Sequence, residues 1–173
     1  MDEKLQLVKG DITKLAVDAI VNAANANLEN GAGVNGAIHE EAGPELSKAC
    51  QQLNGCAVGQ AKITPGFSLP VKYIIHTVGP VWRGGNKGEP MLLASCYHES
   101  LKIALENGIK KIAFPAISCG VFGYPASLAS HIAIKESANF LELHPEVEVV
   151  YFVCFEETTF DAYKQALSTY RHE

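Results

Sequence analysis

Two runs in this sequence combine many glycines with few bulky side chains: Asn25-Ala26-Asn27-Leu28-Glu29-Asn30-Gly31-Ala32-Gly33-Val34-Asn35-Gly36, and Pro115-Ala116-Ile117-Ser118-Cys119-Gly120-Val121-Phe122-Gly123-Tyr124. Each follows an apolar, strand-like run and leads into a helical stretch. A loop of this kind lets backbone N–H groups approach phosphate oxygens, and the helix N-terminus behind it adds a favourable dipole at the same spot. One such loop is a weak signal, whereas two form a paired clamp for a diphosphate.

Gly31 to Gly36 also satisfies G-x-G-x-x-G, the pattern of a dinucleotide-binding turn. Its surroundings argue against that reading. Eight residues, Ala23 to Asn30, separate Asn22 from Gly31, and no strand ending in Asp or Glu follows at the expected distance of about 20 residues. No Lys-Ser or Lys-Thr follows either, which excludes a nucleotide-triphosphate loop. In the second run, Gly120 and Gly123 supply the positive φ or close approach that larger residues resist. Cys119 lies inside that run, where a helix N-terminus would depress its pKa; the alternative is a packing role, because no His or Asn partner is assignable nearby.

The elements that must hold these loops are legible as apolar runs. Leu5 to Val8, Ala16 to Val21 (closed by Asn22), Val71 to Val78, Ile109 to Phe114 and Val147 to Val153 read as strands, with Ala61 to Thr64 a weaker one. Helices are predicted over Val34 to Ala42, Pro44 to Cys50, Met91 to Glu106, Pro125 to Leu141 and Thr158 to Tyr170. Strands alternating with helices predict an α/β fold whose sheet is covered on both faces. The run Trp82 to Gly88 reads as an exposed loop.

Bulk properties narrow the function. The 173 residues, 47% hydrophobic and 19% charged, suit a single domain spanning 1–173. Met1-Asp2-Glu3-Lys4 opens acidic with no apolar run behind it, and no stretch approaches the roughly 18 apolar residues of a membrane span, so no membrane association and a cytoplasmic location are expected. The net charge of −5 and the absence of a long basic run argue against nucleic-acid binding. An anionic ligand must instead be held locally by oriented N–H groups. Five scattered cysteines without a C-x-x-C pair indicate neither a disulfide framework nor a zinc site. His76, His98, His131, His144 and His172 show no metal-ligand spacing, so no metal is expected.

Gly10-Asp11-Ile12-Thr13, Val21-Asn22-Ala23-Ala24-Asn25, Gly31-Ala32-Gly33-Val34-Asn35-Gly36-Ala37-Ile38-His39, His76-Thr77-Val78-Gly79-Pro80 and the Pro115 to Pro125 loop fall in an order and spacing that resembles a macro domain. The likeness is greatest to the MacroD-type branch, which includes bacterial O-acetyl-ADP-ribose deacetylases, and it runs from about Leu5 to the last helix. It implies a three-layer α/β/α sandwich with a mixed central sheet, an ADP-ribose cleft, no cofactor and a monomer.

The resemblance also assigns roles. Asp11, with Ile12 beside it, would meet the adenine, its carboxylate accepting from the exocyclic amine; the alternative is a cap on a turn starting at Ile12. Phe155 matches an aromatic packed near the adenine ring, or else closes the core. Gly31, Gly33 and Val34 of the first loop and Ser118, Cys119, Gly120 and Val121 of the second would surround the diphosphate, with Phe122 on the distal ribose or anchoring its loop. Asn25 would fix a hydroxyl or water beside the anomeric carbon, the Asx-turns being left to Asn22, Asn27 and Asn30.

Asn35 departs from the family pattern, which has aspartate there as the usual candidate to activate the attacking water. An amide can hold a water but cannot take its proton. His39, four residues on along the same helix face, either orients residue 35, substitutes as base, or ties the helix to a neighbouring loop. Ala32 replaces a usual glycine. With Asn25, Asn35 and His39 as catalytic candidates, the expected function is hydrolysis of ester-linked ADP-ribose, on Glu or Asp of mono-ADP-ribosylated proteins or in O-acetyl-ADP-ribose. The alternative is a module that binds ADP-ribose without turnover.

Overall fold

The computed structural model describes residues 4–172. Among them, six strands form one sheet: β1 (Leu5–Lys9), β2 (Ala19–Ala23), β3 (Ala61–Pro65), β4 (Tyr73–Thr77), β5 (Lys111–Pro115) and β6 (Val149–Cys154), in the spatial order β1-β6-β5-β2-β4-β3. Neighbours pair in parallel except β3, which runs antiparallel to β4. The helices are α1 (Gly33–Ala42), α2 (Glu45–Gln51), α3 (Glu89–Glu106), α4 (Ala126–Leu143) and α5 (Glu157–Arg171), with a short 3-10 turn at Ile12–Lys14.

Strand alternation divides the core in two. Val21, Ile75, Ile112, Phe114, Val150 and Phe152 face α3, α4 and α5, where they meet Leu93, Leu101, Ala133 and Tyr163. Their strand neighbours Ile20, Ile74, Ala113 and Val153 face the other way, onto Ile38, Ala42, Leu46 and Cys50 of α1 and α2. Each large side chain buried in this way contributes roughly 1.5–3 kcal/mol, so both sheet faces must be covered. The result is the mixed-sheet, three-layer α/β/α sandwich that the sequence implied.

Element ends shift by at most three residues from the sequence reading, and two cases stand out. The second strand covers Ala19–Ala23 rather than starting at Ala16, so Asn22 lies within it and is fully buried. Before it, the Asp18 carboxylate accepts the N–H groups of Lys110 and Lys111, joining that turn to the start of β5. The weak candidate at Ala61 to Thr64 is a true edge strand, held in register with β4.

What matters for function is that β1, β6, β5 and β2 are consecutive, parallel neighbours. Their C-terminal ends lie along one edge and deliver, in order, Asp11, Phe155, the second glycine loop and the first glycine loop. At about 4.8 Å per strand step, the span from β1 to β2 is roughly 14 Å. The helix after β2 lies on one face and the helix after β5 on the other, so a crevice opens between these strands, where open α/β sheets bind ligands.

Candidate active site

A cavity of about 610 Å³ occupies that crevice, within the usual range of about 300–1,000 Å³ for small-molecule sites. Its walls are Ala23 to Asn25, Gly31 to Asn35, Gly79, Pro115, Ala116, Ser118, Gly120 to Phe122, and Glu156. Both glycine loops therefore face one space, as their composition required.

The first loop ends at the start of α1, whose N-cap residue, Ala32, provides no side-chain cap. The first bond of this helix runs from Gly36 N to Ala32 O. The N–H groups of Gly33, Val34 and Asn35 thus precede the intrahelical ladder and stand at the positive end of the helix, beside the cavity. The second loop is closed on itself by Gly123 N to Gly120 O and Tyr124 N to Ser118 O. Ser118 holds a left-handed φ of 67°, and its buried hydroxyl has no hydrogen-bond partner. Val121 is 94% exposed at the tip, with Phe122 half-buried beside it.

A third loop supports the second. The carboxylate of Glu89, only 1% exposed, accepts the N–H groups of Arg83, Gly85 and Lys87 at 2.8, 3.0 and 2.6 Å. This orders 83–88 into an anion nest around an internal side chain. Trp82 at its start packs on Tyr124, ring centroids 4.6 Å apart, and its N–H donates to the Phe122 carbonyl at 2.8 Å. The run is an exposed loop, as expected, with Arg83, Gly84, Asn86, Lys87 and Gly88 at the surface, and it also acts as a brace, because a buried carboxylate must collect donors. Burial opposes ionisation of Glu89, but the backbone hydrogen bonds outweigh it and hold the carboxyl down at about 2, against an ordinary 4.5. The ionised form is thus favoured by folding: its contribution is fully present above the unfolded pKa and fades as pH falls toward the folded one. Thermal melts from pH 6 to pH 2 are expected to show Glu89→Gln less stable than the parent at pH 6, the gap narrowing below about pH 4.5. A gap constant across that range would exclude this role.

Asp11 does cap the 3-10 turn: its Oδ1 accepts both the Thr13 N–H at 2.9 Å and the Thr13 hydroxyl at 2.7 Å. The Thr13 hydroxyl bond leads in holding its carboxyl below the usual range. Both bonds use one oxygen of an exposed side chain, so capping leaves Oδ2 for an outside donor. Ile12 is buried against α1 and α2, which leaves its backbone as its only route to a ligand. Phe155 is 76% exposed and so does not close the core.

Cys119 packs against the larger core, and burial pushes its thiol up to about 12. That is opposite to the depression expected near a helix N-terminus, and Cys119 is not part of the cavity wall. His39 is also outside the wall. It is buried, its Nδ1 3.4 Å from the Ser47 hydroxyl of α2, and burial lowers its pKa. It ties helix to helix rather than helix to loop.

Asn25 lines the cavity, but its side chain also makes the Asx-type contacts expected of its neighbours. Its Oδ1 accepts the Glu29 N–H and its Nδ2 donates to the Glu29 carbonyl, both at 2.9 Å. Asn35 is buried in the inner wall. Its Nδ2 donates to the Glu29 carbonyl at 2.8 Å, and its Oδ1 accepts from Asn22 Nδ2 at 2.9 Å. Asn22 also reaches Nδ1 of His76 at 3.2 Å, and the other ring nitrogen of His76 lies 2.9 Å from the Thr64 hydroxyl. Burial, then the nearby His39, holds His76 at about 3, so its ring is neutral.

Sequence reasoning missed Asn22, Glu156 and Glu89. Asn22 carried a signal, a polar residue ending an apolar run, while Glu156 and Glu89 carried none that distinguishes them from surface acids. Among the described residues, no group of three or more His, Cys, Asp or Glu side chains is placed to hold a metal ion, and no helix is long and apolar enough to cross a membrane.

A family model described as Macro domain matches residues 21–133. A "Macro domain-containing protein" of Methanosarcina mazei is 54% identical over 166 residues, covering 96% of this chain and 89% of that protein. A Citrobacter koseri protein named O-acetyl-ADP-ribose deacetylase is 50% identical over 172 residues, 97% of each chain. Among solved structures, the Oceanobacillus iheyensis macrodomain with ADP superposes with a TM-score of 0.93 at 42% identity, covering 97% of this chain and 92% of that one. The Trypanosoma brucei macrodomain in complex with ADP-ribose gives a TM-score of 0.89 at 42% identity, covering 95% and 69%.

Proposed function

The chain belongs to the macro domain family, and on that premise we propose that it binds ADP-ribose between its two glycine loops and hydrolyses esters of that nucleotide. The observation that carries this reading is the order of groups along the sheet edge. Asp11 and the exposed ring of Phe155 stand outside the cavity wall at the β1–β6 end, and the two glycine loops face one another across the cavity at the β5–β2 end. A planar base carrying an exocyclic amine suits the first end, and a diphosphate suits the second. The distal ribose then lies between Asn25 and Phe122. Relatives named O-acetyl-ADP-ribose deacetylase, alike over nearly their whole length, support the acetyl ester as substrate; glutamyl and aspartyl esters on proteins present the same bond.

In this reading the loops fix the diphosphate, and the clamp holds the ester against the inner wall, where water attacks. Neither Asn35 nor Asn25 takes the water's proton, since an amide is not a base at neutral pH. His39 is turned toward α2, so the proton passes to an oxygen of the substrate's own diphosphate. Loss of a protein base costs about 10²–10⁴-fold in rate where such a base operates, so slow turnover with full binding is expected. A cytoplasmic monomer is part of this proposal, and the net charge of −5 argues against a nucleic-acid partner.

The experiment is acetate release from O-acetyl-ADP-ribose, with ADP-ribose binding measured on the same sample by calorimetry. Binding with release above the buffer rate supports the hydrolase. Binding without release supports the second reading, an ADP-ribose reader, which the commitment of the Asn35 amide to internal bonds favours. Absence of binding overturns both.

A further inference from the structure

We propose that Asn35 is a latch for the first glycine loop, a positioning residue whose amide is required as an amide, and that Asn22 sets its polarity. The direction of every bond follows from one group whose chemistry is unambiguous. The Glu29 carbonyl can only accept, so the Asn35 atom 2.8 Å away must be its NH₂ group. The Asn35 oxygen therefore faces Asn22, and the Asn22 atom 2.9 Å from it must in turn be a donor. That same NH₂ lies 3.2 Å from His76 Nδ1, which must then be the acceptor nitrogen. The His76 proton is left on Nε2, 2.9 Å from the Thr64 hydroxyl. A buried, directed chain thus runs from the outer strand β3 to the loop. The buried Asn22 Oδ1 is left without a partner, a cost that the two hydrogen bonds from its NH₂ group must offset.

The latch acts at Gly31. The Nδ2 atoms of Asn35 and Asn25 lie 3.0 and 3.6 Å from where a Cβ of Gly31 would sit, and both amides hold the Glu29 carbonyl two residues before it. A carboxylate at position 35 fits the same space but turns an oxygen on the Glu29 carbonyl, acceptor against acceptor, and leaves the Asn22 donor on its other oxygen. In this chain, then, residue 35 can latch the loop or serve as a base, but not both in the same geometry. This consequence rests on the ADP-ribose reading, whereas the latch itself does not and is tested without ligand.

The experiment compares the parent, Asn35→Asp and Asn35→Ala by amide hydrogen exchange at the Glu29 N–H, expressed as a protection factor at pH 8 and pH 5. Loss of one internal hydrogen bond is expected to lower protection about tenfold. Asn35→Asp should show this loss at pH 8 and regain protection at pH 5, because burial at this position and the facing Glu29 carbonyl raise the carboxyl above the usual aspartate range, and the protonated form offers that carbonyl an O–H donor. Asn35→Ala should show the loss at both values, and the parent at neither. The ionisable groups around the site are Glu29 on the loop, His39 on α1, Cys50 on α2, His76 on β4 and Glu156 after β6; all are common to parent and variants, so the parent's profile removes their contribution. Parent-like protection of Asn35→Asp at pH 8, or a loss that acid does not restore, overturns the latch. A second measurement needs no variant: the ¹⁵N shifts of His76 in the parent should report an unprotonated Nδ1 and a protonated Nε2, and the opposite tautomer overturns the chain of donors.

Discussion

Gly36→Ala is expected to weaken ADP-ribose binding by about 100-fold, the scale on which a displacement of roughly 1 Å in a binding group acts. A Cβ at this position would stand 2.3 Å from the Gly31 carbonyl oxygen and 3.3 Å from its carbon. Both are backbone atoms, so no side chain can swing aside. The start of α1 or the Gly31 turn must move, and either shift re-aims the N–H groups beside the cavity. Helix propensity argues the other way, since alanine within a helix is favoured over glycine by about 1 kcal/mol. The close approach wins, because a 2.3 Å contact cannot persist. Ile38 and Ala42 keep the later turns of α1 on the sheet, so the fold is expected to survive. Calorimetry with ADP-ribose and a thermal melt together decide this, with Gly10→Ala as control. A Cβ at Gly10 meets nothing within 4 Å, and its stability change should stay within about 0.5 kcal/mol. Parent-like affinity in Gly36→Ala would show that the loop is not held as described.

Asn22→Ala should destabilise the protein by about 3 kcal/mol, from two buried acceptors left without their donor at roughly 1–3 kcal/mol each. Those acceptors are Asn35 Oδ1 and His76 Nδ1, on either side of a fully buried position. For a chain of this size that corresponds to a fall in Tm of roughly 6–12 °C. The exposed Asn27 offers the comparison: Asn27→Ala should leave Tm within about 2 °C of the parent. A change of similar size for both variants would mean that Asn22 is an ordinary strand residue and that the chain from Thr64 to Glu29 carries no stability.

Along the chain, composition revealed more than periodicity alone suggests. Strands rich in β-branched residues, alternating with helices, specify a sheet covered on both faces, and two glycine loops after two such strands require an anion site wherever those strands become neighbours. Asp11 and Phe155 were legible only through the family likeness, since one acid and one aromatic at strand ends have many uses. The boundary of β2 was misread because Asn22 looks like a terminator in a local window. It is tolerated inside the strand because Asn35 and His76, distant in sequence, accept from both donors of its amide, although its Oδ1 has no partner.

Packing decided between the alternatives open for Cys119 and His39 and gave the exposed 82–88 loop a second task. Whether a thiol near a helix N-terminus is activated depends on its burial, and the core pushes that of Cys119 up rather than down. Whether a histidine one turn from residue 35 faces the cleft depends on where α2 lies. Whether a glycine-rich run is loose depends on whether a carboxylate such as that of Glu89 arrives to collect its donors.

The sequence by itself determined the layered fold, the paired loops and the lack of a protein base at residue 35, because these follow from side-chain chemistry and local spacing. Only the tertiary structure decided which atoms of Asn25 and Asn35 are already engaged, and by whom. A hydrogen bond joins groups through space with no regard for their separation along the chain, and the Glu29 carbonyl that orients the whole network is a backbone atom that every sequence possesses.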